Sequence, residues 1–118
     1  MVKLTFLLPE ENKDLSKDEV IHTLISFLNM SLYRDDEDIK DAVKTLMMYL
    51  QEKITVFRAR KCAFVIHQEA REENDFYKKM IKRACGHIVS TIHVKTHALR
   101  AIDYLNKAFL YREGKTHD

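Results

Sequence analysis

Three of the six histidines in this 118-residue chain fall within one short run, Cys-Gly-His-Ile-Val-Ser-Thr-Ile-His-Val-Lys-Thr-His-Ala-Leu, from Cys85 to Leu99. Imidazole is the side chain most readily recruited near neutral pH as acid, base or metal ligand, so His87, His93 and His97 are the first candidates for chemistry. A fourth, His67, lies upstream between Arg60 and Arg71. At 100° per residue, Val56, Ala59, Ala63, Ile66 and Ala70 share one arc of a helix and Phe57 with Phe64 another, and Arg60, His67 and Arg71 fall between them. Buried Arg needs a carboxylate, carbonyl groups or a ligand, so three basic groups in an apolar half-cylinder predict a polar cluster.

His87 and Thr91 lie in the apolar arc of the next helix with Met80, Ala84, Ile88 and Ile92, whereas His93 falls on a side with Lys79 and Lys82. Gly86 and Ser90 form a small-residue notch suited to the close approach of a neighbouring helix. A hairpin turning at Asn74 would set Arg60 and His87 at one height. Arg60, His87, His93 and His97 would then gather at one end of a bundle, with His67 and Arg71 deeper and Thr91 alongside. Whether this cluster binds a ligand or is a satisfied polar core stays open at this level.

Specific chemical signatures are weak. His93 and His97 have the i, i+4 spacing of a helical metal-ligand pair, but a helix break is expected between them and no His-Glu-x-x-His pattern surrounds them. The metal and cofactor content is therefore unknown from sequence. No glycine-rich phosphate loop occurs, and no Ser or Cys has an adjacent base. Arg60 and His67 have the R-x6-H spacing of the HEPN ribonuclease motif, with Lys61 where a polar Asn, Asp or His is usual.

The elements that must position these residues are helices. Two glycines and one proline are too few for a β protein. Ser16 and Glu19 form a capping box ahead of Val20, Leu24, Phe27 and Leu28, in a helix expected to end near Tyr33. Asp35 to Asp38 open a second helix carrying the stripe Ile39, Ala42, Val43, Leu46, Met47, Leu50. An unbroken helix over 36–74 would run ~58 Å, against ~35 Å for a compact domain of this length, so breaks are required. Thr55, then Asn74 or Asp75, then Val94 to Thr96 are the places for them. The expected architecture is all-α: an antiparallel bundle of about five helices forming one domain over 1–118. A short extended segment at Val2 to Leu8 would lie over the bundle or pair with a second chain, which admits a homodimer.

The net charge of +2 conceals a polarity. Residues 1–52 carry 6 basic and 11 acidic groups, a net of −5, and residues 53–118 carry 14 and 7, a net of +7. Such a dipole favours oriented docking of a charged partner. General nucleic-acid binding is disfavoured by the adjoining acidic half and by the lack of aromatic-basic interleaving. No apolar run reaches the length of a membrane span. Cys62 and Cys85 read as reduced core thiols of a cytoplasmic protein.

The segments Ala-Phe-Val-Ile-His-Gln-Glu-Ala-Arg at 63–71 and Cys85 to Leu99 resemble a family of small helical bacterial proteins, the putative immunity proteins. Their members show an Ala-His-x-x-Ala-Arg-like segment followed by Gly-His-x-x-x-Thr-x-His-Val-x-x-His-Ala-Leu. His67, Arg71, Gly86, His87, Thr91, His93, His97 and Ala98 fall on that pattern, and the resemblance spans roughly residues 53–110. It implies a binding protein that captures a partner protein, a toxin in the sense of the family label. Two other readings stand beside it: a bundle that holds a small molecule, anion or metal in the His/Arg cluster, and a HEPN-like ribonuclease using Arg60 and His67.

Overall fold

The structure, a computed structural model, describes residues 16–116 and contains five helices: α1 (Lys17–Met30), α2 (Glu37–Leu50), α3 (Val56–Glu72), α4 (Phe76–Ser90) and α5 (His97–Thr116). The opening segment at Val2 to Leu8, and His117, lie outside the described residues.

Local side-chain chemistry starts four of these helices. The Ser16 hydroxyl accepts from the Glu19 amide at 3.2 Å, and the Glu19 carboxylate accepts from the Ser16 amide at 3.3 Å, completing the capping box. Asp36, Thr55 and Asp75 each accept an amide hydrogen three residues on, from Ile39, Arg58 and Lys78. The α2–α3 break falls where expected, and the chain reverses through Glu52, a non-glycine residue in the left-handed region at φ 60°. α4 ends at Ser90, earlier than the β-branched Val94 suggests, and residues 91–96 form a turn before α5 opens at His97.

The hub is α4, which buries Met80, Ile81, Ala84, Cys85, Gly86, Ile88 and Val89. It packs on α5, α3 and α2, while α1 closes the bundle against α2 and α5. Ile21, Leu24 and Leu28 of α1, Leu46 of α2, Ile88 of α4 and Leu105 of α5 have no measurable exposure. A clasp joins the C-terminal part of α5 to the rest. The Tyr33 hydroxyl donates to the Leu105 carbonyl at 3.1 Å, and the Arg112 guanidinium covers the rings of Tyr33 and Tyr77 at 5.5 and 5.3 Å while donating to the Tyr77 hydroxyl.

The shortest dimension of the molecule is 21 Å, about two helix diameters. That thinness decides the burial of α3, whose main neighbour is α4. Only a narrow seam of Ala59, Ala63 and Ala70 is fully buried, with Ile66 and Val56 partly covered. The expectation that Arg60 and Arg71 occupy an apolar interior is therefore corrected: both are exposed, as are Phe57 and Phe64. Cys62 is likewise exposed, and only Cys85 is a core thiol. Among the described residues, no helix is long and apolar enough to cross a membrane.

The hub position of α4 sets an expectation for stability. Ile88→Ala should cost about 2 to 5 kcal/mol through lost transfer energy and a cavity, whereas Phe64→Ser on the exposed side of α3 should stay within about 0.5 kcal/mol. Urea denaturation of the two variants checks the contrast.

Candidate functional site

The structure brings together His67 of α3, His87 of α4 and His97 of α5, with Tyr104 of α5 completing the stack. The His67 ring meets the His87 ring edge-on at 4.8 Å between centroids. Tyr104 lies nearly parallel to His87, at 8° and 5.3 Å, and the His97 ring meets the His87 ring edge to edge, 24° from parallel with centroids 5.0 Å apart. The Nδ1 atoms of His87 and His97 are 2.8 Å apart. One of them must donate and the other accept, so the pair shares a single hydrogen between these two nitrogens.

Gly86 makes this convergence possible. A Cβ there would stand 2.5 to 2.7 Å from three atoms of the His67 imidazole, far inside van der Waals contact. The small-residue notch expected at Gly86 and Ser90 is thus occupied at Gly86 by a side chain. Ser90 donates to the Gly86 carbonyl at 2.8 Å, and Thr91 donates to the His87 carbonyl at 3.0 Å. Thr91 points into the core as expected, where its hydroxyl serves to close the last turn of α4.

Electrostatics keep the cluster neutral. Burial, then the neighbouring His67 and His97, then Arg100 and Arg83, push the His87 pKa down to about 4. His67 is lowered by burial, Arg83, His97 and Arg71, and His97 by burial, Arg100 and His93. No carboxylate figures among the causes for any of the three. Desolvation and surrounding cations act in the same direction, against imidazolium.

Two of the predicted residues stand apart. Arg60 is on the outer side of α3 with Phe57, Lys61, Phe64 and Val65, and His93 is an exposed turn residue. Arg71 is exposed but near enough to His67 to act on its charge. The height argument misplaced Arg60 because the hairpin does not pivot at Asn74. Glu73 pairs with Lys82 at 2.9 Å and His67 abuts Gly86, which puts the pivot within the first turn of α4. The slide sets His67, not Arg60, beside His87.

Tyr104 was missed by sequence reasoning, although it lies seven residues after His97 and so on the same face of α5. Arg83 and Arg100, the cations that help hold the imidazoles neutral, gave no sequence signal of their own.

The geometry limits what the cluster can hold. A tetrahedral metal bound by both Nδ1 atoms would spread them to about 3.3 Å, wider than the observed hydrogen bond. Among the described residues, no group of three or more His, Cys, Asp or Glu side chains is disposed to hold a metal ion. What the arrangement does offer is a proton-poor seam joining three helices.

Two outcomes follow from this seam. Gly86→Ala should destabilise by about 1 to 3 kcal/mol through overpacking against His67. In a His67→Ala background the same change should be neutral or stabilising, because alanine is the better helix former by up to about 1 kcal/mol. A double-mutant cycle by chemical denaturation reads this reversal of sign.

The second outcome concerns pH. The folded pKa of His87, about 4, lies below its ordinary value of 6.5, so between these values the unfolded chain binds more protons. The stabilisation is complete above pH 6.5 and is lost as pH falls through about 4. Urea midpoints measured across that range should decline on acidification, and His87→Gln should flatten the decline.

The family model described as "Imm-5 like putative immunity protein" matches residues 19–118. No curated protein and no solved structure matches the chain significantly. The family match extends beyond the motif-bearing half, through α2 and all but the first two residues of α1, so the described bundle from Glu19 onward falls within it. The chain belongs to the Imm-5-like putative immunity protein family.

Proposed function

We propose that this protein is a cytoplasmic binding protein of the immunity type, a single helical domain that captures a partner protein, a toxin, by surface contact. The observation that carries the reading, beside family membership, is the outer side of α3. In a molecule whose core leaves Leu46, Ile88 and Leu105 with no exposure, Phe57 and Phe64 are 66% and 62% exposed. Exposed large apolar side chains grouped on one face are the informative departure from an ordinary soluble surface.

The histidine motif supports the same reading from the other side. Nδ1 of His87 and Nδ1 of His97 are committed to each other, and His67 is seated on Gly86. These residues hold α3 against α4 and tie α4 to α5, and so fix the helix that presents the apolar face. The opposed charges of the two halves would orient an approaching partner and raise the association rate. The small-molecule, anion or metal reading and the HEPN-like reading have no comparable support. Arg60 lines the outer surface, while the imidazole of His67 turns into the seam.

The test is direct binding to the protein encoded beside this one, the expected source of a toxin that its own cell must neutralise. Titration calorimetry of the purified pair should give a 1:1 complex with a Kd at or below about 10 nM, the range of specific, standard-sized interfaces. Absence of a complex contradicts the proposal.

A further inference from the structure

We infer that the outer face of α3 is the centre of the capture surface and that its partner presents carboxylates around protruding apolar side chains. The inference rests on the capture reading and adds the location and the chemistry of the partner.

Phe57 and Phe64 are seven residues apart, two turns along one side of α3, about 10 Å. Between and beside them, Arg60, Lys61 and Val65 complete a shallow, open patch on the outer side of the helix. The opposite side of the helix is the alanine seam against α4, so α3 is anchored by small residues and shows its large ones outward. The rings are supported by a fixed scaffold and would lose little freedom on binding, as anchor residues of an interface require.

Charge selects the partner. From Lys53 to Gln68 the chain has Lys53, Arg58, Arg60 and Lys61 and no Asp or Glu. Among the described residues, Arg58, Arg60 and Lys61 make no ion pair, and the Lys61 ammonium rests 4.6 Å from the centre of the Phe57 ring. An apolar face rimmed by uncompensated cations fits a surface where Asp or Glu surround an apolar projection. Arginine can add bidentate pairing with those carboxylates. A second copy of the chain is the poorer occupant, because two-fold packing of this face on itself would oppose the same cations. Single-stranded nucleic acid is also poorer, since rings about 10 Å apart exceed the ~3.4 Å step of successive stacked bases.

The experiment uses the full chain, the neighbouring-gene product and two double variants, Phe57→Ser with Phe64→Ser, and Arg60→Glu with Lys61→Glu. All four positions are exposed, and circular dichroism should show unchanged helix content. Each double variant should weaken binding by about 100-fold, as loss of anchors does, and raising salt from ~50 to ~500 mM should weaken the unaltered protein by about 10-fold. If the unaltered protein binds and both variants bind equally well, the surface assignment falls and the capture reading stands. Failure of the unaltered protein to bind overturns both. A dimer of the unaltered chain that the variants convert to monomer, or binding of a single-stranded RNA of about 20 nucleotides lost in the same variants, would give the face to another occupant and overturn the assignment.

Discussion

Three helices of this protein meet on three imidazoles whose protonation their surroundings oppose. The approach of His67 to Gly86 sets how close α3 can lie to α4, and the His87–His97 hydrogen bond ties the end of α4 to the start of α5 across the turn at residues 91–96. No carboxylate offsets a positive charge at this point, and Arg83, Arg100 and Arg71 add to the penalty for acquiring one. A hydrophobic residue could fill the same space. Imidazoles satisfy a different condition, because they pack by their faces and still supply a partner for each other's ring nitrogen.

The seam explains how a helix with so little buried surface is held. Alanines at 59, 63 and 70 bring α3 close to α4 but remove little apolar area from water. His67 and the Glu73–Lys82 pair add specific contacts along the same side. With the inner side narrow and fully used, the larger side chains of α3 face outward, and the aromatic and cationic residues become a surface instead of a core. Interior histidines and exterior aromatics are in this sense two consequences of one packing solution.

What could be read from the sequence was local. The capping groups at Ser16, Asp36, Thr55 and Asp75 act within three residues, so the helix starts were legible. So was the inward direction of His87 and Thr91, which follows from the period of α4, and the family resemblance, which lay in the histidine spacing. The exposure of Arg60 and Arg71 was not legible, because periodicity shows which residues share a side but not which sides meet another element. The hairpin register was hidden for a related reason: the pivot depends on Glu73–Lys82 and on the fit of His67 to Gly86, both contacts made across the turn between α3 and α4. Tyr104 lay within reach of the same helical arithmetic that placed His87.

The most direct test of the central claim is the protonation state of the three imidazoles, read by nitrogen-15 NMR of histidine-labelled protein at pH 7. His67, His87 and His97 should each show one protonated and one unprotonated ring nitrogen, with a through-hydrogen-bond coupling between the Nδ1 atoms of His87 and His97. An imidazolium at His87 at that pH, or loss of its free-nitrogen signal on adding stoichiometric zinc, would contradict the account and make the seam a ligand site instead.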